Sequence, residues 1–175
     1  MSKRYEILTS LPVYGPMYIA ITNNEEPFYS QGFAVRFYKS DGTQWVANFK
    51  PGWTELTEMI QLEGVADLLV IAYGFCYIID PEQTKPLSTF GISYSETFKT
   101  RDGRIILQDQ TDLTIVESDG THWDTERISW DGLEGLELNG NIVSGRACHP
   151  SHDDDDWIFF TYNIDTRKLI GGSYP

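Results

Sequence analysis

Outside one short segment, no stretch of this chain sustains a 3.6-residue apolar period over three turns. Short apolar or alternating runs are instead cut at close intervals by Asp, Gly, Asn and Pro. A chain punctuated in this way cannot build long helices and must bury its apolar residues on strands. In Phe33-Ala34-Val35-Arg36-Phe37-Tyr38-Lys39, positions 33, 35 and 37 share one strand face. Ser40-Asp41-Gly42-Thr43 follows, and then Gln44-Trp45-Val46-Ala47-Asn48-Phe49. Two such runs around Asp-Gly predict a hairpin, because Gly42 accepts the positive φ the turn demands. Leu68 to Ala72 and Phe75 to Ile79 are apolar throughout and separated by Tyr73-Gly74, which predicts two buried strands joined by a tight turn. Arg104 to Leu107 with Leu113 to Val116, and Ile142-Val143 with Trp157 to Tyr162, give further pairs. About eight to thirteen strands are expected, mostly in antiparallel hairpins. The exception is residues 54–63, where a short helix is predicted: Thr54 is placed to cap it, Leu56, Met59 and Ile60 share a helical face, and Gly64 stands at the expected stop.

The turns also recur. Asp41, Asp80, Asp119 and Asp165 each follow a strand, at separations of 39, 39 and 46 residues, and Asp41-Gly42-Thr43-Gln44-Trp45 returns as Asp119-Gly120-Thr121-His122-Trp123. With paired strands in each unit, this spacing resembles that of β-propeller repeat proteins, whose blades are four-stranded units of about 40–45 residues. The resemblance extends over most of the chain and rests on period alone. There is no Gly-His…Trp-Asp signature, and Trp130-Asp131 occurs once. It implies about four blade-like units; a β-sandwich or an open barrel-like meander accommodates the same strands. The expected class is all-β, and the 175 residues fit a single domain spanning 1–175.

Charge narrows the partners. With 26 acidic and 13 basic residues the net charge is −13, and the only adjacent basic pairs are Lys3-Arg4 and Arg167-Lys168. Binding to nucleic acid or an anionic membrane surface requires clustered Lys and Arg, so both are disfavoured; a basic protein or a divalent cation is the expected partner class. No apolar run approaches the ~20 residues of a membrane span, and Pro12, Gly15 and Pro16 interrupt the one stretch behind the basic N-terminus. Cys76 and Cys148 form no Cys-x-x-Cys motif and read as reduced, buried thiols. Cytoplasmic residence is the simplest expectation.

Few residues point to chemistry. His149-Pro150-Ser151-His152-Asp153-Asp154-Asp155-Asp156 offers nitrogen and oxygen ligands, so His149, His152, Asp153, Asp154, Asp155 and Asp156 are candidate ligands for calcium or another divalent cation. Their spacing matches neither an EF-hand loop nor His-Glu-x-x-His, and the same run reads equally as a solvated loop between the last strands. Cys148 and His149 are adjacent, hence on opposite strand faces and poorly placed as nucleophile and base. Ser144-Gly145 lacks the glycine a nucleophile elbow needs, and Gly171-Gly172 has no helix after it to cradle a phosphate.

The tryptophans give a second candidate set. Trp45, Trp53, Trp123 and Trp130, with Asp131, are candidate binding residues if exposed, and core plugs if buried. A small, acidic, aromatic-rich chain without a catalytic signature suits a non-catalytic interaction protein; it resembles bacterial immunity proteins in composition and size, which implies an inhibitor of a basic partner. The alternatives are a calcium-type binding protein using residues 149–156 and a carboxylate-dependent hydrolase.

Overall fold

A computed structural model of the chain describes residues 4–14, 17–152 and 154–175. Among the described residues there are sixteen strands and no helix. The strands form four four-stranded sheets. The first contains β1 (Tyr5–Ile7), β2 (Ile19–Ile21), β3 (Phe33–Tyr38) and β4 (Gln44–Phe49), in the order β1-β3-β4-β2 with β2 parallel to β4. The second is a meander of β5 (Glu58–Gln61), β6 (Leu68–Ala72), β7 (Phe75–Ile79) and β8 (Ser88–Phe90). The third comprises β9 (Glu96–Lys99), β10 (Ile105–Gln108), β11 (Leu113–Val116) and β12 (His122–Asp124). The fourth comprises β13 (Leu133–Asn139), β14 (Ile142–His149), β15 (Asp156–Asn163) and β16 (Lys168–Gly171). The all-β class follows directly. Strands exceed the expected eight to thirteen because β1, β2, β8 and β12 have three residues each, too short to show alternation.

The 39-residue spacing has a structural basis. Each of Asp41, Asp80, Asp119 and Asp165 lies in the connection between the third and fourth strand, in chain order, of one sheet. Two of these connections are the same turn. The Asp41 and Asp119 carboxylates each accept from the backbone N–H and the hydroxyl of the threonine two residues on, at 2.8 and 2.6 Å for Thr43 and at 2.9 and 2.6 Å for Thr121. Gly42 and Gly120 take φ values of 84° and 86°, which a side chain would resist.

Residues 54–63 are not helical. The backbone there is committed elsewhere: Gly52 and Thr54 donate to the Ala72 and Tyr73 carbonyls, and Gly74 donates to Leu56. Those bonds tie the segment to the β6–β7 turn, and β5 then pairs antiparallel with β6. The Thr54 hydroxyl accepts from Leu56 N at 3.2 Å, closing a turn instead of capping a helix. An isolated helix of this length is marginal, whereas pairing with β6 gives each added residue a ladder partner.

The chain divides into two compact units, Met1–Ser93 and Tyr94–Pro175. In the first, the first and second sheets share one core in which Phe37 stacks on Trp45 at 4.8 Å and Phe49 meets Tyr77 at 5.1 Å. Tyr77 is fully buried, and its hydroxyl donates to the Lys50 carbonyl at 2.7 Å. In the second unit, Ile106, Leu113, Ile115 and Ile128 join Val143, Ala147, Phe160 and Tyr162 in a core shared by the third and fourth sheets. Every residue of β6, β7, β10 and β11 is buried, so both faces of these strands are covered and their sequences show no alternation.

Candidate interaction surface

Along most of the fourth sheet one face meets the core and the other is open, and strand register decides which residue lies where. At the start of β15 both faces are open, Ile158 being as exposed as Trp157. Phe160 and Tyr162 point into the core, opposite Gly145 and Val143. Gly145 is closely packed there: a Cβ would stand 3.0 Å from the Leu136 side chain and 3.1 Å from the Phe160 ring. Trp157, Phe159 and Thr161 therefore point the other way, opposite Cys148, Arg146 and Ser144, and Ile170 joins them as the partner of Thr161. On this open face Trp157 is 39% exposed, and Phe159 and Ile170 are each 61% exposed. Alternate residues along a strand lie about 7 Å apart, so Trp157 and Phe159 form a continuous apolar stripe with Ile170 diagonal to it.

Carboxylates edge the stripe. Glu134 pairs with Arg146 in register and through an ion pair of 2.7 Å, and Glu137 pairs with Ser144. Burial pushes the Cys148 thiol above its usual value, and the charges of Asp155, Asp131 and Glu134 add to the effect. Asp155 precedes β15 and Asp131 follows Trp130 in the chain. The Trp130 loop closes the Trp157 end of the sheet. Trp130 is 42% exposed and meets the Tyr174 ring edge-on at 4.7 Å, while the Arg127 guanidinium lies 4.6 Å above Tyr174. Ser173 fixes the arrangement, its hydroxyl donating to the Cys148 carbonyl at 2.6 Å and accepting from Trp130 N at 3.1 Å. A Cβ at Gly132 would stand 3.8 Å from the Trp157 ring, so the loop and the stripe adjoin. Asp131 accepts from the Gln110 amide at 2.9 Å.

Of the five candidate binding residues, Trp130 and Asp131 are thus brought to this surface. Trp45 is in the core, 6% exposed, with its indole N–H donated to the Pro81 carbonyl. Trp123 lies on β12, half-buried, with its N–H on Glu117 at 2.7 Å and the Arg167 guanidinium 4.1 Å above its ring. Trp53 belongs to the first unit, 77% exposed, in a shallow cleft of about 320 Å³ with Gln31, Pro51 and Tyr73.

The described candidate cation ligands lie in and beside the β14–β15 connection. His149 and Asp156 are cross-strand partners on the face opposite Trp157, whereas Asp155 lies near Cys148. The Ser151 hydroxyl bonds to the Asp154 carbonyl, and Asp155 N donates to the Asp154 carboxylate at 2.9 Å. His152 and Asp154 are exposed, and Asp153 lies outside the described residues. Among the described residues, no three His, Cys, Asp or Glu side chains gather closely enough to hold a metal ion.

Trp157 and Phe159 were not recognisable as surface residues from the run Trp157-Ile158-Phe159-Phe160, whose uniform apolarity shows no alternation. The signal lies in its partner strand. Along β14, Val143 and Ala147 alternate with Ser144 and Arg146, and a strand face shared with Ser and Arg is not a core face. Cys76 and Cys148 are both free and buried, and burial pushes the Cys76 thiol well above its usual value, which leaves it inert. No helix among the described residues is long and apolar enough to cross a membrane. No protein-family model, curated protein or solved structure matches this chain.

Proposed function

We propose that this protein is a non-catalytic acidic interaction protein, of the kind that inhibits or neutralises a basic partner, and that it binds through the open face of its fourth sheet. The observation that carries the reading is the stripe of Trp157, Phe159 and Ile170 left exposed on a regular strand face. With Trp130 it amounts to roughly 300–400 Å² of apolar surface, comparable to the largest patch on a typical monomer, which is often functional. Trp and Tyr dominate binding hot spots because they bury much area at little entropic cost. The surrounding Asp131, Glu134 and Asp155, with a net charge of −13, favour approach by a positive surface and raise its association rate. Two buried thiols suit a reducing compartment, and the reading places the protein in the cytoplasm.

The test is a pull-down from cell extract at low and at raised salt, with the captured proteins identified by mass spectrometry. A basic protein is expected at low salt, its yield falling as salt rises. The Phe159→Ser variant, folded as judged by circular dichroism, is expected to lose it. Recovery of no basic protein, capture indifferent to salt, or capture undiminished by Phe159→Ser each refutes the proposal.

A further inference from the structure

In the first unit, the first sheet ends at β2 and the second at β8. A cleft of about 620 Å³ lies between these two sheet edges, walled by β2 with Glu25, Glu26 and Pro27 on one side, and by β8 with Lys85, Pro86 and Leu87 on the other. The register shows where the backbone polar groups of β8 point. The Ile78 carbonyl accepts from Leu87 N at 2.8 Å, and Ile78 is the partner of Ser88, so Ser88 faces β7. Thr89, the next residue, turns its N–H and C=O away from its own sheet. Leu87 is 52% exposed beside it.

The space fits one kind of occupant. An extended residue fills roughly 160 Å³, from a 3.3 Å rise, a 4.8 Å strand spacing and a 10 Å layer thickness, so the cleft has room for about four. An added strand would bond to Thr89, with alternate side chains against Ile19 and Pro27 on the β2 wall and the others toward water. Charge selects its polar residues: Glu25 and Glu26 stand at the cleft, and Glu26 is held by a long, exposed pair with Lys50 at 3.9 Å. Its mouth is crossed by an ion pair of 2.6 Å between Lys85 and Glu25, with side chains 77% and 80% exposed. So exposed a pair is easily opened, and Lys85 occupies the position a basic side chain of a ligand would take. Glu25 is held at φ 58°, uncommon for a residue with a side chain. Pro86 confines β8 to a short edge, which discourages pairing between copies of the chain.

We infer that this cleft receives an extended peptide segment bearing basic side chains, which adds as a fifth strand to the second sheet along β8. The site is separate from the fourth-sheet surface proposed above. Its test uses the full chain and a fluorescein-labelled peptide, acetyl-Lys-Val-Lys-Val-Lys-Val-Lys-amide, followed by anisotropy and by amide hydrogen exchange. Saturable binding is expected, with slowed exchange at Thr89. Methylating the backbone nitrogens of one alternate set of peptide residues is expected to weaken binding at least tenfold, and methylating the other set to leave it nearly unchanged. Lys85→Met, which frees Glu25, is expected to tighten binding several-fold at low salt. Four outcomes overturn the inference: no binding at millimolar peptide, equal binding by the parent and both methylated peptides, slowed exchange on β15 and β16 in place of β8, or loss of peptide binding in Phe159→Ser. The last two would assign the peptide to the fourth sheet.

Discussion

Asp112 stands where β10 passes to β11, and its replacement by Asn offers a sharp test of the electrostatics of the second unit. Asp109 N donates to the Asp112 carbonyl at 3.1 Å to close the turn. Ile128 and Ser129 then both donate to Thr111, at 2.9 and 3.1 Å, which draws the segment after β12 across this region. Half-buried in this way, Asp112 is pushed up to about 6, chiefly by desolvation and further by the charges of Asp109 and Asp124, with Arg127 opposing. The folded protein therefore holds this proton to about pH 6, while the unfolded chain releases it near the ordinary value of 3.8. The contribution to stability is complete below about pH 4, is lost as pH rises through about 6, and stays lost above. A shift of this size corresponds to roughly 3 kcal/mol; partial exposure screens it, and about 1–2 kcal/mol is expected. Asn mimics the neutral acid. Asp112→Asn should match the parent near pH 4 and exceed it by about 1–2 kcal/mol at pH 7, a rise of about 2–8 °C in Tm. Asp67, also raised by burial, is present in both proteins and cancels in the difference. Urea denaturation followed by tryptophan fluorescence at the two pH values measures the effect. A variant less stable than the parent at pH 7, or a difference independent of pH, refutes the argument.

Two further predictions concern stability. Gly171 takes φ 78°, and a Cβ there would lie 2.2 Å from the Phe159 carbonyl oxygen; Gly171→Ala should cost at least about 2 kcal/mol by urea denaturation, whereas Gly42→Ala, with nothing within 4 Å, should cost only about 1 kcal/mol. Arg104, 12% exposed, pairs with Asp102 at 2.7 Å and Asp165 at 2.6 Å, and hydrogen bonding to it holds both carboxyls below their ordinary value. That stabilisation is present above the usual carboxylate range and lost as pH falls through the depressed values, so Arg104→Met should lose more stability at pH 7 than at pH 3, read from melting curves at both.

Features that depend on near neighbours along the chain were legible. Asp41-Gly42-Thr43 and Asp119-Gly120-Thr121 form the turns their residue types require, because the carboxylate, the threonine and the glycine satisfy one another within three residues. The uniform burial of β6 and β7 follows from two apolar runs around Tyr73-Gly74, with φ values of 52° and 85° at the turn. The all-β class rests on the same short-range chemistry, whereas the Asp165 carboxylate is held by Arg104 and Asn141, distant along the chain. The helix expected over 54–63 failed because its backbone groups found partners on the β6–β7 turn, nearly twenty residues away, which no local period reveals.

The candidate surface divides along the same line. Sequence singled out Trp130 and Asp131 by type, and the aromatic content of β15 was plain, yet which of its side chains meet water was set by pairing with β14 and β16. Trp45 and Trp123 stand at equivalent places after the same turn, yet Trp45 is buried and Trp123 only half-buried, because burial is decided by what lies across the sheet. Sequence by itself determined where the chain turns and that it forms strands, since those preferences act between adjacent residues. Only the tertiary structure decided sheet order, the parallel β2, the open face of the fourth sheet and the cleft beside β8, because each depends on residues distant along the chain competing for the same partners.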